Sequence, residues 1–271
     1  MAVARRSVAE ETTFQFSNDL EGNYDTKLNE SILDDRLDAR VQHGAYTIGV
    51  TMLSHSPSSP LLDPNAYGPA VQGFRKRWIE ATADNFLLRV GDSYTTFGRG
   101  IALAIFEDQS VAFDNVIDGA DAQATRGPVL AEVIGGQNSL GDPQMVMKGG
   151  RVVLGLPAAW KSGLHGVWAD YQAPITGLRT SGDRLYGGMV QGPLTPHLDL
   201  YGEYVMRDQR DAKGDASGAP QGHFGYANAN AYLGPLQVVA EYKHVLRYDL
   251  PQVAGLVPDF CILILHQFLA G

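Results

Sequence analysis

The sequence predicts an all-β chain folded as an antiparallel up-and-down meander. Strand-length stretches alternate apolar and polar residues. Turn-forming residues separate them at an even hairpin spacing of roughly 20–25 residues. No strand–helix–strand alternation and no long amphipathic helix interrupts the series.

Length and composition fit one large β-domain, with 271 residues and 29.3 kDa. Charged residues make up 19%, below the usual ~25%. Mean hydropathy is −0.14 and no apolar run approaches the ~18 residues of a helical membrane span. A net charge of −9 without a basic stripe excludes a nucleic-acid partner. The single cysteine, Cys261, excludes an internal disulfide. Residues 1–11 have no apolar core of a secretory signal, so no intact export signal is read here.

Taken in order, residues 1–11 read as a short flexible tail and residues 12–271 as a single β-barrel domain. Thr12 to Asn23 alternates, with Phe14, Phe16 and Leu20 on one side. Asp38–Gln42 and Ala45–Leu53 form a hairpin turning at His43-Gly44. A long loop rich in Ser, Pro and Gly covers about 54–73.

The central stretch runs from Arg77 to Phe106. Asp84-Asn85 is the expected tight turn, because both residues tolerate left-handed backbone. That turn sets Glu80 opposite Arg89, Thr82 opposite Leu87 and Trp78 opposite Gly91. Ile79, Ala81, Phe86, Leu88 and Val90 then share a wholly apolar face. A third strand is expected to start at Gly100. A long loop is expected over about 107–128, and a loop folded into a lumen is an equally fair reading of the acidic region from Glu107 to Asp142.

Beyond it, Val129–Ile134, Gly150–Pro157, Gly163–Tyr171, Arg184–Gln191, His197–Arg207, His223–Leu233 and Leu236–Tyr248 read as strands. Gly192 to Pro196 is the expected turn within the fourth and fifth of these, and a polar loop covers about 208–221. About ten to twelve strands are expected in all. Phe260 to Leu265 is continuously apolar rather than alternating, so the C-terminus reads as an altered or incomplete barrel end.

One apolar face per strand suits a water-soluble sandwich or a transmembrane barrel with a polar lumen. The barrel reading places Trp160, Trp168, Tyr171, Tyr186, Tyr201, Tyr204, Tyr226, Tyr232, Tyr242 and Tyr248 in part at membrane interfaces. The alternative is a soluble or surface sandwich binding carbohydrate through exposed aromatics.

Trp78-x-Glu80-Ala81, Asp84-Asn85-Phe86, Leu88-Arg89-Val90-Gly91-Asp92, Phe97-Gly98-Arg99-Gly100 and Phe106-Glu107-Asp108 resemble an uncharacterised porin-like group of outer-membrane β-barrel proteins of Gram-negative bacteria. The resemblance is strongest over residues 74–120. It implies an outer-membrane location, a lipid environment and a passive channel or structural scaffold for small solutes, with no cofactor.

Glu80, Arg89, Asp92 and Arg99 are the candidates for a charged lumen, where such groups orient solutes or pair to keep the wall in register. Gly91-Asp92-Ser93 resembles an esterase nucleophile block, but the activating Asp-x-x-His block is absent, so no enzyme is expected. Asp114, Asp118 and Asp121 are a weak calcium candidate, because Val116 occupies a position that an oxygen ligand needs. The seven histidines show no metal-ligand spacing.

Overall fold

The computed structural model describes residues 11–25, 30–56, 72–108, 113–138, 144–173, 178–218, 221–234, 236–248 and 261–266. Its large sheet has fourteen strands. They are β1 (Thr12–Asp25), β2 (Glu30–His43), β3 (Tyr46–Ser56), β4 (Gln72–Ala83) and β5 (Phe86–Ser93), then β10 (Ile117–Arg126), β11 (Val129–Asn138) and β12 (Gln144–Gly155). β13 (Lys161–Gln172), β14 (Arg179–Thr195), β15 (Leu198–Arg210), β16 (Gly222–Leu233) and β17 (Leu236–Leu246) follow, and β18 (Cys261–His266) is the fourteenth. Between β5 and β10 lie two small hairpins, β6 (Thr95–Phe97) with β7 (Leu103–Ile105), and β8 (Glu107–Asp108) with β9 (Phe113–Asp114).

The large sheet runs in sequence order and every neighbouring pair is antiparallel, with β1 and β18 at its two ends. It is one continuous sheet rather than the two stacked sheets of a sandwich. Fourteen strands exceed the ten to twelve expected. Part of the excess is the apolar run at Cys261–His266, which is a full sheet member paired with β17. Part is β10, which occupies the second half of the loop expected over 107–128.

The central register is as the alternation demands: Trp78 faces Gly91, Glu80 faces Arg89 and Thr82 faces Leu87. The turn sits at Asp84-Asn85, yet neither residue takes a positive φ, so it is not a mirror-image turn. The strand expected from Gly100 does not join the sheet. Leu103–Ile105 pairs only with Thr95–Phe97. β14 runs on through Pro193 to Thr195, where the pairing slips, so the turn lies at Pro196-His197 rather than over Gly192 to Pro196.

All but Glu11 of the tail expected over 1–11, and most of the loop expected over 54–73, lie outside the described residues. The loop expected over 208–221 begins later, because β15 extends to Arg210 and a bridge joins Arg210 to Ala216.

The two rims of the sheet differ. On one rim the connections are two residues long except for residues 156–160, a short stretch around a 3-10 turn at Pro157–Ala159. On the other rim they are longer, and the connection from β5 to β10 spans residues 94–116. Short turns on one side and long loops on the other are the usual asymmetry of outer-membrane barrels.

The two faces differ as well. Val133, Val152, Leu164, Val190, Tyr204 and Met206 stand outward and exposed, while Glu132, Val167, Leu185, Glu203 and Val205 are buried inward. An apolar outer wall over a polar and packed interior inverts the arrangement of a soluble domain.

Candidate functional site

Gly91 turns the chain out of the wall. Its φ is +100°, and a Cβ there would lie 2.2 Å from the Arg77 carbonyl oxygen, so no side chain fits. Alternation breaks at this point: Asp92 and Ser93 are both buried. The Asp92 carboxylate accepts the Arg77 backbone N–H, and the Ser93 hydroxyl donates to the Gly91 carbonyl at 3.3 Å. From Tyr94 the chain enters the space enclosed by the sheet as the β6–β7 hairpin.

The hairpin packs by an apolar surface. Phe97, Ile101, Leu103 and Ile105 are buried against Met147, Val167, Leu185, Val205 and Phe224 of β12 to β16. Its polar groups are fastened by four wall residues. Thr95 donates to Glu132, Arg151 Nη1 donates to the Thr96 carbonyl at 2.8 Å, and Glu203 Oε2 accepts the Arg99 N–H at 2.8 Å. Tyr248, two residues past β17, donates to the Ile101 carbonyl at 2.9 Å. Burial, and secondarily the Glu203 carboxylate, hold its phenol well above the ordinary range, so it remains a donor at physiological pH.

The hairpin fills the β11–β16 side and leaves a cavity of about 500 Å³ along β1 to β5. Arg36, Asp38, Arg40, Lys76, Arg89 and Asp92 supply its charges, and Trp78 and Tyr94 its aromatic surface. Trp78 lies across Gly49, where a Cβ would come within 2.4 Å of the indole. The Arg89 guanidinium sits 4.0 Å and that of Arg40 5.3 Å from the Trp78 ring centroid, and the Lys76 ammonium 5.1 Å from that of Tyr94. Such contacts hold cations in fixed positions at little cost in hydration. Asp38 pairs with Arg36 at 2.9 Å and accepts the Thr51 hydroxyl.

Of the sequence candidates, Glu80 and Arg89 both face inward and pair at 3.3 Å. Arg89 and Asp92 line the cavity, whereas Arg99 sits on the hairpin tip with its guanidinium 5.0 Å from the Tyr201 ring. The calcium candidates do not converge. Asp118 is outward and reaches Arg77 at 3.5 Å, while Asp121 is inward and buried. An odd spacing along a strand puts them on opposite faces. The side chain of Asp114 lies outside the described residues.

The aromatic residues divide. Trp168 and Tyr186 meet edge-on on the outer wall at 5.9 Å, and Tyr204 continues to His223 at 5.8 Å and His223 to His244 at 5.2 Å. These rings make contacts along the outer wall. Tyr171, Tyr201 and Tyr226 instead face inward, with their hydroxyls on Asp183, Glu203 and Glu241.

Sequence reasoning passed over Arg40, Lys76, Glu132, Arg151, His165 and Glu203. Their signal was a charged residue on the polar side of a period of two. That signal names a face, but it does not say which faces meet the inserted hairpin.

No protein-family model matches the chain, and no curated protein matches it by sequence. Solved structures do. OccK2 (OpdF) of Pseudomonas aeruginosa, determined in complex with glucuronate, is 14% identical with a TM-score of 0.51, over 86% of this chain and 63% of that one. OprD of the same organism is 12% identical with a TM-score of 0.48, over 86% of this chain and 56% of that one. An anion-selective porin from Comamonas acidovorans is 10% identical with a TM-score of 0.39, over 87% and 90%. The chain thus spans under two thirds of the length of OccK2 and OprD. The likeness to OccK2 shows the fold alone, an antiparallel β meander of the β-barrel type.

Proposed function

We propose that the chain forms the wall of an outer-membrane channel that passes small solutes passively and favours anions. The observation that carries this reading is the open space along β1 to β5. Four cationic side chains and two carboxylates line it. A narrow passage with low-dielectric walls focuses the field of such fixed charges and raises the local concentration of counter-ions. The outward apolar wall supports the lipid environment. A sugar acid of the kind found in the OccK2 structure is a solute of the expected class.

The test is ion selectivity in a planar bilayer under a salt gradient. The unaltered chain is expected to give a reversal potential on the anion side. Arg89→Gln combined with Arg99→Gln is expected to move it toward cations. Unchanged selectivity in a variant that still shows heat-modifiable migration on a gel would sink the lumen assignment. A folded barrel with no conductance would favour a scaffold role.

A further inference from the structure

Near the long-loop rim, outward charges stand in pairs. Arg77 reaches Asp118 at 3.5 Å, Arg184 of β14 holds Asp170 of β13 at 3.1 Å, and Arg210 of β15 holds Asp208. Lys148 of β12 is different. It is exposed while Met147 and Gly149 on either side are buried, so alternation turns it outward. Among the described residues its ammonium has neither an ion pair nor a hydrogen bond. Lys148 faces Trp168 across the strands, and Trp168 faces Arg184 in turn. Two strand spacings thus set these cations about 10 Å apart with an indole between them. An unmatched lysine on a lipid-facing wall is costly, and an anionic headgroup at the interface relieves that cost.

Toward the middle of the same strands the outer wall is hollowed. Gly188 of β14 and Gly202 of β15 floor a groove of about 760 Å³. Val152, Leu164, Val190 and Tyr204, all exposed, form its sides. Val152 lies four residues beyond Lys148 on β12, about 13 Å along the strand. Gly150 and Gly166 face each other between the two, with the Trp168 indole against Gly166. A headgroup at Lys148 and an acyl chain in the groove therefore fit one lipid lying along the strands.

We propose that Lys148, Trp168 and Arg184 bind the acidic headgroup of a membrane lipid whose acyl chain lies over Gly188 and Gly202. Lys148 supplies the uncompensated charge that selects an acidic lipid over a zwitterionic one. Arg184 Nη1 donates to Asp170 and to the Ala169 and Asp183 carbonyls, which leaves Nη2 for a phosphate oxygen. Trp168 supplies the aromatic ring that suits headgroup depth. The site rests on the lipid-facing wall of the channel reading and not on conduction.

Native mass spectrometry of the full chain, folded in detergent with equimolar phosphatidylglycerol and phosphatidylcholine, reads the site. The phosphatidylglycerol adduct is expected to predominate. Lys148→Gln is expected to cut it about fivefold, the worth of one lysine at an anionic surface, and to leave the phosphatidylcholine adduct unchanged. Lys148→Arg is expected to preserve it. Gly202→Leu fills the groove, where a Cβ meets only Val190 at 3.7 Å, and is expected to weaken both adducts. Heat-modifiable migration on a gel shows separately that each variant folds.

A phosphatidylglycerol adduct indifferent to Lys148→Gln overturns the headgroup site. Adducts indifferent to Gly202→Leu overturn the groove, and so does a protein dimer that this substitution dissociates, which would seat a second copy there. A silent bilayer with the expected adducts overturns the channel and upholds the lipid site. A chain that folds in plain buffer without detergent overturns both.

Discussion

Gly91 illustrates how much one residue decides. Because its φ is +100° and its Cβ position is filled by the Arg77 carbonyl, it can be nothing but glycine. The substitution Gly91→Val would force strain and a contact at 2.2 Å into the junction where the chain leaves the wall. The expected cost is roughly 1–3 kcal/mol or more, read as a lower urea midpoint of the barrel in detergent. A drop below about 0.5 kcal/mol would show that the junction relaxes freely. The Glu80–Arg89 pair beside it was legible in the sequence, since period two and the turn at Asp84-Asn85 set those residues directly opposite each other. Only its charge assigns Asp92 to the lumen in the sequence, since strict alternation sets it on the outward side with Val90. Its burial depends on the chain rotating at Gly91, and alternation assumes that no such rotation occurs.

Among the strands, β13 to β15 divide their residues by face: Leu164, Val190 and Tyr204 point outward, His165, Met189 and Glu203 inward. The outer pattern has a direct consequence. Leu164 is 73% exposed on the outer wall, so Leu164→Arg places a charge where lipid is expected. It should destabilise the folded state by up to about 4 kcal/mol, the cost of a lipid-facing arginine rising with its depth in the bilayer. Gln123→Arg, on the inward face of β10 near the short-turn rim, should cost little. Folding into vesicles followed by migration on an unheated gel compares the two, and equal stability would refute the assignment of faces. The outward placement of Trp168, Tyr186 and Tyr204 was half legible. Alternation put them on one face, but the same composition also contains Tyr171, Tyr201 and Tyr226, whose phenols stand on inward carboxylates.

For the molecule as a whole, the hairpin sets the width of the interior. Replacing residues 95–105 with a short Gly-Ser link should raise single-channel conductance several-fold. It should also lower stability, because Met147, Val167 and Leu185 lose the apolar cover of Phe97 and Ile105. Each large side chain uncovered is worth roughly 1.5–3 kcal/mol. Conductance unchanged by that replacement would mean that the hairpin does not constrict the passage.

The meander itself, its register around Asp84-Asn85 and the apolar outer face were all present in the amino-acid order. Each follows from interactions between residues close in sequence and from a side-chain period of two. Only the tertiary structure decided that residues 94–105 turn inward, that Arg99 meets Glu203 104 positions further on, and that Cys261–His266 joins the sheet. Such pairings depend on the curvature of the whole sheet and on which inward side chains leave room. The local pattern carries no record of that distance.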